Sequence, residues 1–215
     1  MIAVKTMQRM NFLLVEDEAL LRDGLRSLLE KESFVRTIYE ASNANEFKAQ
    51  IRNSIDFVLM DFRLIDTNGL DLLALLKKEA VQPKVIMLTG LEGPELLMNL
   101  LKAGVDGIVY KLDGYREILT TIKYVLEDGS YFSPKILQII QENAHRWDHM
   151  PPVVLTSSER EMLKAIASGL TTKEIAALLK LSDSTAETYR IRLIKKVGVL
   201  NTAGMIAYAY RNGIL

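Results

Sequence analysis

The sequence predicts an α/β protein in which a doubly wound, five-stranded parallel sheet is followed by a small all-α domain. Short apolar runs alternate with amphipathic helical patterns five times between residues 11 and 127, and this alternation is typical of βαβ units. Strand signals stop after Ser133. Charge divides in the same way: residues 1–132 carry 16 Lys and Arg against 20 Asp and Glu, and residues 133–215 carry 11 against 7. An acidic first part and a basic second part indicate separate tasks, the second of them involving a polyanion.

The first part is predicted to alternate between strands and helices in a regular order. The run from Phe57 to Met60 is continuously apolar, as expected of a strand that is buried on both faces. Apolar residues at helical spacing follow each strand, beginning with Leu20, Leu21 and Leu25. The predicted strands are 11–15, 35–40, 57–60, 85–88 and 107–110, and the predicted helices are 20–29, 43–52, 70–79, 95–103 and 115–127.

The second part is predicted to be helical throughout. A helix from Pro134 to about Ala144 leads into an aperiodic stretch, 145–152, whose paired prolines mark a linker. Capping-box spacings predict three helix starts, at Thr156 with Glu159, Thr171 with Glu174 and Ser184 with Glu187. We therefore expect a first domain over 10–130, a linker with a helix over 131–152, and a helical domain over 153–215. Its predicted helices are 156–169, 171–180, 182–197 and 201–211.

The composition of the chain limits the cellular compartments in which we expect the protein. Without cysteine, disulfides and thiolate metal sites are excluded, which fits a reducing compartment. No apolar run reaches the roughly 18 residues that a membrane span needs, and no signal-type core follows the N-terminal residues. We expect a cytoplasmic protein without membrane contact, starting at Met1, Met7 or Met10.

Polar side chains collect where the predicted strands end. Glu16 and Asp17 follow the first strand, Asp61 the third, Thr89 the fourth and Lys111 the fifth. In doubly wound sheets these carboxyl ends line the crevice that holds the chemistry. Converging carboxylates repel unless a cation joins them or a pKa rises, and oxygen ligands without His or Cys favour Mg²⁺. The constellation predicts a site that could stabilise a phosphoryl group arriving on Asp61.

The helical part contains a candidate helix-turn-helix. A connection of only a few residues, 179–182, joins two predicted helices. The helix after it carries Arg190, Arg192, Lys195 and Lys196. This basic face predicts DNA binding, although a solvated basic face on a helical bundle would have the same pattern.

The strand-end residues resemble those of a known family. Residues 11–128 resemble a receiver domain of two-component signalling, and the whole chain resembles a response regulator of the NarL/FixJ type. The resemblance implies that Asp61 takes a phosphoryl group from a sensor histidine kinase and that the protein is not a turnover enzyme. It also implies that Mg²⁺ is bound by Glu16, Asp17, Asp61 and the main-chain carbonyl of Arg63. Thr89 and Lys111 would contact the phosphoryl oxygens.

Residues 155–210 resemble a LuxR-type domain through Leu155-Thr156, Glu159-Arg160-Glu161, Gly169-Leu170-Thr171, Lys173-Glu174-Ile175-Ala176, Leu181-Ser182 and Ser184-Thr185. The resemblance implies that 182–197 is a recognition helix in the major groove of double-stranded DNA. It further implies a homodimer when the protein is active, through the receiver, the terminal helix Asn201–Arg211, or both. The implied base-edge contacts are Glu187, Thr188 and Ile191; the implied phosphate contacts are Lys173, Arg190, Arg192, Lys195 and Lys196; Ser184 and Thr185 complete the DNA-binding set.

The sequence departs from the receiver pattern at three positions. Glu16 stands where Asp is usual, Ile65 where Pro is frequent, and Ile108 where an aromatic switch residue is usual. The main hypothesis is a regulator in which the unmodified receiver occludes the recognition helix until Asp61 is phosphorylated. The alternative keeps the DNA binding and treats the receiver as phosphorylation-independent. A phosphatase of the haloacid-dehalogenase kind would need a second Asp at position 63, which is occupied by Arg63.

Overall fold

The structure, a computed structural model, describes residues 9–79, 82–90, 93–147, 150 and 152–215, without the side chain of Asp128. Five strands form one sheet in the order β2-β1-β3-β4-β5, and β1 pairs in parallel with β2 and β3, as β3 does with β4. This topology confirms the predicted doubly wound sheet. The strands are β1 Met10–Val15, β2 Val35–Ala41, β3 Phe57–Asp61, β4 Lys84–Thr89 and β5 Gly107–Tyr110.

Ten α-helices occur in the described residues. The first five alternate with the strands, as the sequence predicts, and the last five follow without a further strand. None of the helices in the described part of the chain has the length and apolar character that a membrane span requires. The helices are α1 Ala19–Leu29, α2 Ala44–Gln50, α3 Gly69–Leu76, α4 Pro94–Lys102, α5 Gly114–Asp128, α6 Pro134–Glu142, α7 Ser157–Ala167, α8 Thr172–Leu179, α9 Asp183–Val197 and α10 Thr202–Arg211.

The centre of the sheet forms the first core. Every residue of β3 is buried, because helices cover both faces of a parallel sheet and leave its central strands no solvent face. Phe12 of β1 stacks on Phe57 of β3 with ring centroids 4.9 Å apart. The register sets Asp61 beside Leu88, so the side chains that end β3 and β4 emerge at the same edge.

The chain divides into two compact units. Among the described residues, one unit comprises 9–79, 82–90 and 109–115, and the other comprises 93–108, 116–147, 150 and 152–215. The first unit contains the strand ends and loops around Asp61. In the second, α10 packs against α4, α6, α7 and α9.

Two of the three predicted capping boxes are found at helix starts in the second unit. Thr156 with Glu159 and Thr171 with Glu174 form complete boxes at the starts of α7 and α8. The third prediction, Ser184 with Glu187, is wrong. Ser182 is the N-cap of α9 and its hydroxyl accepts from the amide of Thr185, so Ser184 lies inside the first turn.

Some apolar residues at helical spacing are exposed. Leu178 is 61% exposed and Leu20 is 81% exposed, although both fit an apolar helical spacing. Conversely, Leu193 of α9 is buried. Its basic neighbours in the sequence interrupt the apolar pattern from which this burial could have been predicted. Eight consecutive residues of α10, from Thr202 to Ala209, are buried, so this helix is surrounded by other elements on all sides.

Gly69 permits close packing beside Asp61, and its replacement by Ala is expected to lower stability by about 1–3 kcal/mol, the range for overpacked cores. A Cβ at this position would lie 2.6 Å from Met87 Sδ and 3.2 Å from the main-chain oxygen of Asp61. Urea unfolding provides the measurement. Gly24→Ala is the matched control, because that helical position has open space around it and Ala there should raise stability by about 0.5–1 kcal/mol. Equal effects of the two substitutions would contradict the packing argument.

Candidate functional site

The carboxyl edge of the sheet brings together side chains from three strand ends in the first unit. Asp61 is the last residue of β3, Glu16 directly follows β1, and Lys111 directly follows β5. Because β1 and β3 are neighbours in parallel pairing, their following residues must emerge side by side. Thr89 ends β4, next to β3, and is completely buried.

Lys111 joins two of the acidic side chains. Its Nζ donates to Glu16 Oε2 at 2.7 Å and to Asp61 Oδ2 at 2.8 Å. Glu16 is completely buried and Asp61 is 4% exposed. Charge-assisted hydrogen bonds of this length are the strong ones, and here they bind the ends of β1, β3 and β5 into one cluster.

Glu16, Asp17 and Asp61 also form a group that suits a divalent cation. One carboxylate oxygen from each lies within 4.8 Å of the others. All three donors are hard oxygens, which is the donor set that Mg²⁺ takes in proteins. The residues therefore fit Mg²⁺, in keeping with the acidic pocket that was expected from the sequence.

The cluster changes the ionisation of its members. Burial raises the pKa of Glu16; the hydrogen bond from Lys111 partly offsets this effect, and the negative charge of Asp61 adds to it. For Lys111, burial alone would lower the pKa, but the hydrogen bonds and charges of Asp61 and Glu16 outweigh burial and raise it. Lys111 is therefore held as a cation.

A tight loop after β3 places main-chain groups beside Asp61. The amide of Arg63 donates to Asp61 Oδ1 at 3.3 Å. Farther along, the amide of Gly69 donates to the carbonyl of Phe62 at 2.7 Å. These bonds close the loop after β3 and keep the Arg63 amide beside the Asp61 carboxylate.

The predicted site residues Glu16, Asp17, Asp61 and Lys111 thus lie together. Sequence reasoning missed Arg22, whose guanidinium donates to the main-chain oxygen of Glu16. Arg22 lies six residues after Glu16, one turn into α1, and no motif or spacing in the sequence predicts this contact.

The predicted DNA-binding residues are distributed unevenly over the second unit. Most of them lie on the exposed face of α9, including Ile191, which is 45% exposed. Thr185 and Glu187 are half-buried. The exposed predicted residues are Lys173, Ser184, Thr188, Ile191, Arg192, Lys195 and Lys196.

Arg190 is placed differently from the other predicted phosphate contacts. It is 5% exposed, with Nη1 donating to the Thr172 hydroxyl at 2.9 Å and Nη2 to the Thr202 hydroxyl at 2.7 Å. Its position on the helix turns it towards α8 and α10 instead of solvent. In this arrangement its guanidinium connects three helices and does not reach the surface.

Comparison with known proteins identifies the class. The model described as "Response regulator receiver domain" matches residues 12–123, and the model described as "Bacterial regulatory proteins, luxR family" matches residues 153–209. The chain therefore belongs to the response regulators that join a receiver domain to a LuxR-type domain.

Two relatives extend over almost the whole chain. The transcriptional regulatory protein MctR of Rhizobium johnstonii is 32% identical over 210 residues, covering 96% of each chain. The nitrate/nitrite response regulator protein NarP of Escherichia coli is 29% identical over 204 residues, covering 94% of this chain and 95% of that one. Among solved structures, RcsB from Salmonella enterica serovar Typhimurium, bound to a promoter in the presence of phosphomimetic BeF3⁻, matches with a TM-score of 0.59 at 19% identity, covering 94% of this chain and 98% of that one. This likeness supports the fold.

Lys111→Met is expected to destabilise metal-free protein more at neutral than at acid pH. Removing the ammonium raises the already elevated pKa of Glu16 further, and an acid whose pKa is higher in the folded state costs stability as the pH rises above its unfolded pKa. We expect a loss on the order of 2 kcal/mol at about pH 7.5 and a smaller loss at about pH 5. Urea unfolding in EDTA at the two pH values measures this difference. Lys31→Met, at an exposed position, should change stability by less than about 0.5 kcal/mol, and a pH-independent loss in Lys111→Met would contradict the assignment.

Proposed function

We propose that phosphorylation of Asp61 by a sensor histidine kinase controls sequence-specific binding of this protein to double-stranded DNA. The observation that carries the proposal is the geometry of Asp61: a buried carboxylate held 2.8 Å from the Lys111 ammonium and grouped with Glu16 and Asp17. A carboxylate in this setting can accept a phosphoryl group whose charge the surrounding groups neutralise. Its product is a signal, and catalytic turnover is not required.

The transfer itself demands little covalent chemistry from the protein. An Asp61 oxygen attacks phosphorus as the bond between phosphorus and the donor histidine nitrogen breaks, and the histidine keeps the electron pair. Glu16, Asp17, Asp61 and the Arg63 carbonyl would hold Mg²⁺, which neutralises phosphoryl charge when bound. The remaining catalytic contribution is position and electrostatics.

Lys111 and Thr89 are proposed to receive the phosphoryl oxygens. The Lys111 ammonium has three donors, two of which point to Glu16 and Asp61. Phosphorylation removes one carboxylate charge and adds about −1.5 to −2, so the ammonium would turn towards the new oxygens. The buried hydroxyl of Thr89 lies at the end of the neighbouring strand and would supply a further donor.

The exposed face of α9 is proposed to enter the major groove. Thr188 and Ile191 would contact base edges, where Ile and Thr methyl groups can meet a thymine methyl, and Glu187 could accept from cytosine N4. Arg192 and Lys195 would contact phosphates and set the register. The solved structures that this chain resembles include RcsB bound to a promoter and two RcsB dimers bound to two parallel DNAs.

We propose that α10 couples phosphorylation of Asp61 to DNA binding. Its N-cap residue, Asn201, is buried and donates through Nδ2 to the carbonyls of Leu101 at 3.2 Å and Val105 at 3.0 Å. Leu101 belongs to the last turn of α4, where its carbonyl also accepts from the amide of Gly104 at 3.1 Å. Asn201 therefore caps the end of α4 and the start of α10 simultaneously.

A second contact fixes the same end of α10. The Thr202 hydroxyl lies 2.5 Å from the Ser130 hydroxyl and accepts from Arg190. These bonds, together with those of Asn201, hold α10 inside the second unit. Phosphorylation would favour an arrangement in which they break and α10 pairs with its counterpart in a second copy.

Incubation with Mg²⁺ and acetyl phosphate is expected to add one phosphoryl group to the wild-type protein and none to Asp61→Asn, as measured by intact mass. Asp66→Asn is the matched control, because Asp66 lies in the same loop and, among the described contacts, accepts only from the Ala44 amide. It should be phosphorylated like the wild type. A wild type without any adduct would favour the phosphorylation-independent alternative.

Asn201→Asp is expected to increase the DNA affinity of the unphosphorylated protein. An Asp oxygen can still cap the Gly204 amide, as Asn201 Oδ1 does, whereas the hydrogen bonds to the carbonyls of Leu101 and Val105 are lost. A shift of about 1.4 kcal/mol in the coupled equilibrium corresponds to roughly tenfold in affinity, measured by fluorescence anisotropy on a duplex selected with phosphorylated protein. Asn212→Asp changes the same residue type at the other end of α10 and should have no such effect. Unchanged or weaker binding by Asn201→Asp would contradict this regulation.

A further inference from the structure

Arg22 contacts the peptide that joins the two acidic residues of the site. It lies in the second turn of α1, and its Nη1 donates to the main-chain oxygen of Glu16 at 2.7 Å. That oxygen belongs to the peptide bond between Glu16 and Asp17. Because a peptide unit is planar, holding its oxygen limits the rotation of Glu16 on one side and of Asp17 on the other.

Arg22 is itself held from the opposite side. Its Nε lies 3.6 Å from Glu40 Oε1 near the end of β2, and its side chain is 20% exposed. The Glu16 amide donates to the carbonyl of Ala41 at 3.0 Å, so Glu16 is fixed to the same end of β2 through its own main chain. The guanidinium therefore bridges the end of β2 and the turn after β1.

A matching arginine on the same helix lacks this contact. Arg26 lies one turn later and pairs with Glu40 at 3.5 Å and with Asp23 at 3.2 Å. No bond from Arg26 to the Glu16–Asp17 peptide occurs among the described contacts. Arg22 and Arg26 thus share a charge, a helix and an acidic partner, and differ in the bond to the site.

We infer that Arg22 is a positioning residue for the Mg²⁺ ligands Glu16 and Asp17, an inference that rests on the function proposed above. Two neighbouring carboxylates that face Asp61 repel one another, and the turn that carries them would relax away from the cluster without an anchor. A charged guanidinium bonded to the connecting peptide opposes that relaxation. Outer partners of this kind commonly determine metal affinity without touching the metal.

The test compares Arg22→Gln with Arg26→Gln in the full-length protein. Mn²⁺ binding is measured by electron paramagnetic resonance, and the rate of phosphorylation by acetyl phosphate is measured across a Mg²⁺ titration. Arg22→Gln should weaken Mn²⁺ binding by roughly tenfold and shift the Mg²⁺ dependence of the rate to the same extent, with the rate recovering at saturating Mg²⁺. Arg26→Gln should leave both values unchanged. Arg22→Lys should recover part of the affinity, because an ammonium can still donate to the Glu16 carbonyl.

The outcomes separate this inference from the proposed function. Thermal unfolding of each variant identifies a merely structural role: a lower Tm for Arg22→Gln with unchanged Mn²⁺ affinity overturns the inference and leaves the phosphoacceptor proposal intact. Equal weakening by Arg22→Gln and Arg26→Gln also overturns it, because the effect would then come from helix charge. A wild-type protein that binds no Mn²⁺ and accepts no phosphoryl group overturns both.

Discussion

The contact of one ammonium group with two buried carboxylates is the constraint on which the site depends. Glu16 and Asp61 are almost fully excluded from water. Burying a charge without a partner costs free energy. Lys111 makes their burial tolerable by donating to both. The parallel sheet supplies the precondition, since it brings the ends of β1, β3 and β5 to one edge. Under the proposed function, the phosphoryl group replaces a carboxylate as the partner of an ammonium that is already in place.

Under the proposed function, burial of α10 makes its packing in one chain and its pairing with a second copy mutually exclusive. Thr202 to Ala209 are all buried in the single chain, so no face of this stretch is left for another copy. Pairing of two α10 helices would require the present contacts to be given up. Under the proposed function such an element is bistable, and a modest difference in free energy between its two arrangements would decide which is populated.

The sequence predicted most of the fold because its signals were local or repeated. The apolar run of β3 and the position of Asp61 at its end follow from residues within that stretch, and the successive strand ends placed Lys111 beside it. The failures have several causes. Ser184 has the spacing of a cap, but Ser182, two residues earlier, is the N-cap, and its hydroxyl accepts from the amide of Thr185. Leu178 has the periodicity of a core residue, yet no neighbouring element covers it. The contact between Arg22 and Glu16 depends on the direction in which α1 leaves the sheet, which no local pattern encodes.

The burial of Arg190 affects how strongly salt weakens the binding of this protein to DNA. Each phosphate neutralised by a cationic side chain releases condensed counterions and adds about 0.9 to the slope of log affinity against log salt concentration. With Arg190 bonded to Thr172 and Thr202, one of the five expected cations contributes nothing to that slope. Lys173 and Lys196 pair with Glu127 and Glu159, and these ion pairs must open before either lysine can contact a phosphate. Recognition by this protein would therefore tolerate high ionic strength better than its count of basic residues indicates.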